Sequence, residues 1–232
     1  MFIGCVILGA EIINHDPVIM ARKTKQEAEQ TYHALLDAAG RLFIRQGVAT
    51  TTLNQIAAEA KMTRGAIYWH FKNKDAVVQA LWERNAETLH HGFAQLLLKL
   101  DTEHPARAFR QALKQILQSL ASEPELGQMM KIVMHNIEFT EQQTELHRYL
   151  AGKKEEIWSA MAQAFELLAE RDGLKVALPP ALLAQGLMSY THGLLHSHLS
   201  PSQDRAFRLD LEQHGDRLLD LYLDAVLKES EH

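Results

Sequence analysis

Apolar residues recur at i, i+3, i+4 and i+7 along almost the whole 232-residue chain, and no window shows the strict alternation of a half-buried strand. Leu35, Leu36, Ala39, Leu42 and Phe43 form one such stripe, and Gly47 stands where a helix C-cap belongs. A second helix carries Leu53, Ile56, Ala57 and Ala60 on one face and opens with Thr52 and Gln55, the spacing of a capping box. After Lys61-Met62, Thr63 is placed to cap a very short third helix, and Asn73 to cap a fourth that runs unbroken to about Leu100. Beyond Pro105 the pattern predicts four or five more helices, punctuated by Pro124, Asp172-Gly173, Pro179-Pro180 and Ser200-Pro201. The expected fold is all-α, with a head of three short helices over residues 20–75 and a body of longer helices over 76–232.

Residues 1–19 read differently. The apolar run from Met1 to Ala10 is too short to span a bilayer and lacks a signal peptide's basic flank and cleavage site. A fresh basic, polar stretch opens at Met20, so translation is expected to start there, with 1–19 a non-native or disordered leader. The rival reading is a real N-terminal element packed on the body.

Composition narrows the class without naming it. An apolar fraction of 47% and a charged fraction of 23% fit an ordinary globular protein, and the single cysteine, Cys5, fits a reducing cytoplasm. The net charge of −5 hides an asymmetry: nine Lys/Arg against five acids from Met20 to Asp75 give +4, while fifteen against twenty-two from Ala76 onward give −7. A basic head on an acidic body points to a polyanionic partner for the head alone.

Two helices joined by a short turn, the second capped and brief, form a helix-turn-helix arrangement spanning residues 52–71. Two turns of helix cannot stand alone, so Ala66 and Ile67 must be held by the first two helices. Arg64, Gly65, Tyr68 and Trp69 then fall on the opposite face. Small residues admit a base pair closely, Arg64 can reach base edges or phosphate, and the Tyr68 hydroxyl can donate to a phosphate. Lys72 and Lys74 add charge, with Lys74 at the positive end of the fourth helix. Arg22, Lys23 and Lys25 are either a solvated start to the first helix or a flexible arm touching phosphates.

The stretch TTLNQIAAEAKMTRGAIYWHFKNKDAV resembles the DNA-binding region of the TetR family of repressors. With MARKTKQEAEQT and GVATTTLNQIA it is especially similar to AcrR-type repressors of multidrug efflux pumps, over about residues 20 to 82; HNIEFTEQQTEL at 135–146 is a weaker echo. The resemblance implies nine helices, a homodimer formed through the last two, and a ligand pocket in each body. Leu182–Leu199 and Leu209–Leu227 are apolar at bundle spacing and either supply that dimer face or close the monomer's own core. It implies that Thr51, Thr52, Thr63, Arg64, Gly65, Tyr68, Trp69, His70 and Lys74 face an operator. For His70 strict periodicity points inward, against the family pattern; Trp69 is open between packing and DNA contact, and Phe71 is expected in the core. His196-Ser197-His198 departs from an aromatic usual in the subgroup, which puts any inherited ligand assignment in doubt.

In the body, Met129, Met134, Phe139, Phe165 and Met188 recur at helical spacing, which ordinary core packing explains for most of them. Thioethers also suit a pocket accepting many shapes, with Trp82 nearby and His135 and Glu138 as polar lining. Thirteen histidines include His90-His91 and the i, i+4 pair His192/His196, but no HExxH, cysteine cluster, nucleophile elbow or phosphate loop is present. No metal, cofactor or catalytic residue is expected. The leading reading is a dimeric repressor in the cytoplasm, binding a near-palindromic operator, released by a small hydrophobic inducer and controlling a multidrug efflux gene, with no membrane contact. The alternatives are an all-α ligand-binding or protein-interaction module without sequence-specific DNA binding, and a helical enzyme using the histidine-rich segment.

Overall fold

The computed structural model describes residues 17–100, 103–137, 145–171, 173–200 and 209–228, with side chains from residue 25. The described residues form ten α-helices and one π-turn: α1 (Pro17–Gln46), α2 (Leu53–Glu59), α3 (Arg64–His70), α4 (Lys74–Asn85), α5 (Glu87–Leu98), α6 (Pro105–Ser122), α7 (Pro124–Lys131), the π-turn (Ile132–Asn136), α8 (Glu145–Arg171), α9 (Pro180–Leu199) and α10 (Leu211–Val226). Local chemistry sets many of these ends. Pro105, Pro124 and Pro180 each occupy the start of a helix, where a missing N–H costs nothing. Gly47 follows α1 at φ +83°, a conformation glycine adopts without strain.

Two expectations need correction. α1 is not short: its 30 residues make it the longest helix described, and the apolar stripe occupies only its C-terminal part. The fourth helix does not run unbroken to Leu100 but bends at Ala86, where φ −123° and ψ −23° leave the helical range. The cause is tertiary. Trp82 Nε1 donates to Glu87 Oε2 at 3.0 Å across the bend, while Lys153 of α8 holds the other Glu87 oxygen at 2.7 Å and Tyr149 donates to the first at 3.4 Å. This one break accounts for ten helices where nine were expected. The proposed leader lies largely outside the described residues; α1 itself begins at Pro17.

Two hydrophobic clusters organise the chain. One joins α1–α4 to Leu126 and Met129 of α7, Ile132 of the π-turn, and Leu146 and Leu150 of α8. The other is built by α5, α6, α8, α9 and α10, with Phe109 and Phe165 edge to face at 5.1 Å. Arg110 reaches Asp220 and Asp224, and Lys114 reaches Asp220, tying α6 to α10. The first cluster crosses residue 75, so the head is packed directly against α7, the π-turn and the start of α8.

Candidate nucleic-acid interface and ligand site

The helix-turn-helix is fixed by reciprocal caps. Gln55 N donates to Thr52 Oγ1 at 3.2 Å, and Thr52 N to Gln55 Oε1 at 2.8 Å, closing the capping box of α2. Its far end is a Schellman turn: Met62 N bonds Ala57 O at 2.8 Å, Lys61 N bonds Ala58 O at 3.0 Å, and Lys61 sits at φ +57°. Thr63 accepts from Ala66 N at 3.2 Å and starts α3. Ile67 is fully buried, and Phe71 stacks on Tyr32 of α1 at 5.3 Å. That pair holds the seven-residue helix at its middle and at its C-terminal cap.

What remains points outward. Tyr68 and Trp69 are 56% and 73% exposed, and Thr52, Thr63, Arg64 and Gly65 are exposed beside them. A Cβ placed on Gly65 would meet only Thr63 Oγ1 at 3.8 Å, so packing within the chain does not require glycine there. Among the described residues Arg64 has no carboxylate partner. The outer face is therefore small, aromatic and cationic.

Two head residues depart from expectation. Thr51 is fully buried and donates to Gly47 O at 2.7 Å, so it fastens the α1–α2 turn instead of facing out. Lys74 turns back as well: Nζ donates to Ala49 O at 2.7 Å and to Val48 O at 2.8 Å, the second joining Thr51 N, which reaches the same oxygen at 3.3 Å. His70 is half-buried, 4.5 Å from Trp69 and 5.6 Å from Tyr32 by ring centroids, on the flank of α3. Burial holds its imidazole below the ordinary proton affinity, which favours the neutral form. Lys72 pairs with Glu145 at the start of α8, 2.8 Å away. Arg41 and Arg45 are both committed to Glu59, whose carboxyl is pulled below its usual range chiefly by Arg45. The side chains of Arg22 and Lys23 lie outside the described residues.

The proposed ligand residues do not converge. Trp82 and Met129 are buried in the head-side cluster, while Phe165 is buried in the body cluster with Met134 and Met188 packed against it. Helical spacing identified their buried faces but not their neighbours. Phe165, locked against Phe109, is plain core. Glu138 and Phe139 lie outside the described residues. His135 stands apart, its ring 4.3 Å from that of His196 and its Nε2 buried without a hydrogen-bond partner. Open, superficial concavities lie on α10 and on α1, and no proposed ligand residue lines either. Reading the sequence also missed Tyr32 and Asn136. Tyr32, three residues before Leu35, continues the α1 stripe and could have been found; nothing in the pattern marks Asn136.

The family described as "Bacterial regulatory proteins, tetR family" matches residues 35–81. The one described as "MAATS-type transcriptional repressor, C-terminal region" matches residues 104–227, more than half the chain. The chain belongs to the TetR family. Within it the chain is of AcrR type. It is 31% identical over 207 residues to the HTH-type transcriptional regulator AcrR of Shigella flexneri, covering 88% of this chain and 94% of that one. It is 32% identical over 202 residues to the HTH-type transcriptional regulator TtgR of Pseudomonas putida, covering 87% and 96%. Among solved structures it is similar to a complex of SmeT with triclosan, at 29% identity and a TM-score of 0.70, covering 87% of this chain and 93% of that one. SmeT is described as the repressor of the Stenotrophomonas maltophilia multidrug efflux pump SmeDEF. The tetR match spans the apolar half of α1 through most of α4, the segment that holds the outward face of α3. No described helix is long and apolar enough to cross a membrane.

Proposed function

We propose that this TetR-family chain is a dimeric transcriptional repressor that binds a near-palindromic operator and leaves it when a small hydrophobic ligand occupies the body. The observation that carries the reading is the outer face of α3: Arg64, Gly65, Tyr68 and Trp69 are exposed on a helix clamped from behind by Ile67 and Phe71. Such a face fits a major groove, where Gly65 admits close approach and Arg64 and Tyr68 reach base edges or phosphates. Two copies must place their α3 helices about 34 to 36 Å apart to enter successive grooves. The apolar exposed residues Leu182 of α9 and Leu221 of α10 supply a face for the second copy. AcrR and TtgR are named as transcriptional regulators, and SmeT as an efflux-pump repressor with triclosan bound, which supports an efflux gene as the target and a small organic ligand as the release signal.

No catalytic step is required. A ligand that binds best when the two heads are badly spaced lowers operator affinity, and by linkage the operator weakens the ligand equally. The chain acts on DNA in the cytoplasm. Fluorescence anisotropy on duplexes from upstream of its own gene, across a salt series, tests the reading. Affinity must fall linearly in log–log form as phosphates are released to counterions. Absent or salt-independent binding overturns it.

A further inference from the structure

On the body side of the π-turn the structure gathers five basic or nitrogen-bearing side chains, none paired with an acid among the described residues. His135 of the π-turn lies 4.3 Å from His196 of α9, centroid to centroid. His192 is one helical turn earlier on α9, and Lys131 is one turn before His135 at the end of α7. Lys154 acts on His192 from α8. The neighbours that lower the proton affinity of His135, after burial itself, are His196, Lys131 and His192; those of His192 are Lys154 and His196. Among the described residues no carboxylate acts on either ring. None of the five has an ion-pair partner among the described residues, although the chain from Ala76 onward carries seven more acids than bases. His135 Nε2 is buried with its hydrogen-bonding capacity unused.

Fold stability does not explain this grouping. Like charges drawn together without a counter-charge oppose the packing that brings them there, and buried polar atoms ordinarily find partners. An anion resolves both: it accepts from the imidazole N–H groups and offsets the two ammonium groups. Met134 precedes His135, and Met188 lies one turn before His192; both are half-buried against the body core and give an adaptable apolar wall. The site also sits at a mechanically useful place. The residue after His135 is Asn136, whose carbonyl oxygen accepts from Val48 N–H at 3.0 Å in the turn before α2.

We propose that His135, His192 and His196, with Lys131 and Lys154, bind the anionic group of an amphipathic organic acid whose apolar tail lies against Met134 and Met188. The proposal rests on the repressor reading only in treating the bound acid as a release signal; the binding site itself does not depend on it. An anion that draws His135 toward α9 loads the same turn that holds the head.

The test compares three probes of equal chain length, sodium decanoate, 1-decanol and decyltrimethylammonium, each below its micellar concentration, by calorimetry on the full-length chain. Decanoate is expected to bind about tenfold tighter than decanol, as charge-assisted hydrogen bonds require. His135→Gln combined with His196→Gln should bring decanoate to the decanol level without lowering the affinity for decanol. In ring-proton NMR, decanoate should raise the proton affinity of His135. Equal binding of the acid and the alcohol, tightest binding of the ammonium, or an advantage that survives the double substitution would each overturn the proposal. So would a His192→Gln variant that dissociates the dimer while decanoate still binds normally, since the cluster would then serve the subunit interface. Operator binding measured on the same preparation keeps the two readings apart: its loss in the unmodified chain counts against the repressor, and lost acid selectivity counts against this site alone.

Discussion

The backbone N–H of Val48, in the turn between α1 and α2, donates to the carbonyl oxygen of Asn136 at the end of the π-turn, 3.0 Å away. The bond links the element that positions the reading helix to a turn of the body. It is backed by Met129 and Ile132, both buried among residues of α1–α4. A π-turn is rare and is frequently found at functional sites.

If that bond carries the release signal, its protection must change with ligand. Hydrogen exchange of the peptide covering residues 47–52 is expected to be slow at Val48 in the free protein and faster once a releasing ligand is bound. A coupling of about 1–3 kcal/mol, or roughly 5- to 150-fold in operator affinity, is the usual scale. Unchanged exchange in a fully released state would place the signal elsewhere.

Gly65 separates reading from folding. Because an added Cβ meets only Thr63 Oγ1 at 3.8 Å, Gly65→Ala is expected to leave the melting temperature unchanged or raise it. Alanine in a helix is favoured over glycine by up to about 1 kcal/mol. The same methyl group intrudes on any base pair held against α3, and operator affinity should fall by tenfold or more, about 1.4 kcal/mol. A variant that loses stability and DNA binding together would show that the glycine serves packing.

Lys74 offers the opposite separation. Its ammonium donates to the carbonyls of Val48 and Ala49, so Lys74→Met should cost roughly 2 kcal/mol in denaturant unfolding, the scale of hydrogen bonds to a charged group. The salt slope of operator binding should stay where it was. A lost phosphate contact would instead lower that slope by about 0.9.

The contrast between these two residues shows what the amino-acid pattern could and could not reveal. Caps at Thr52, Thr63 and Asn73 and the turn at Gly47 were readable because donor and acceptor lie within four residues of each other. The outer face of α3 was readable from a 100° periodicity. Lys74 was misread because its acceptors stand 25 and 26 residues upstream, where periodicity carries no information. The bend at Ala86 was hidden for the same reason, since Lys153 reaches Glu87 across 66 residues. Lys61 was overlooked because a left-handed turn residue is expected to be glycine or asparagine. The body residues fared worst: spacing marks Met129 and Phe165 as buried, but only packing shows that they belong to different cores.

Lys72 is held by Glu145 beside the reading helix, 2.8 Å apart and exposed on both sides. Exposed pairs of this kind add little to stability, so Glu145→Gln is expected to leave unfolding unchanged. The substitution frees a cation next to α3. Operator affinity should rise, and the salt slope should steepen by up to about 0.9, one added phosphate contact. An unchanged slope would mean that Lys72 does not reach the DNA.

Acid should weaken the fold in two separate steps. Burial is the largest cause lowering the proton affinity of His70, His135 and His192, so each takes up a proton less readily in the folded chain than in the unfolded one, whose imidazoles titrate near 6.5. With more protons on the unfolded state, stability rises with pH across this window and falls as pH drops through 6.5. Glu87 behaves as a paired carboxylate: Lys153 is the leading influence holding it below 4.5, so its contribution is present above that value and is lost only as pH falls further. Urea midpoints measured from pH 8 to pH 3 should therefore show one decline below pH 6.5 and another below pH 4.5. His70→Gln and His135→Gln should each flatten the first decline and leave the second. Glu87→Gln should remove part of the second, at a cost near neutral pH, because half-buried Lys153 keeps only the longer pair with Glu156, 3.7 Å away.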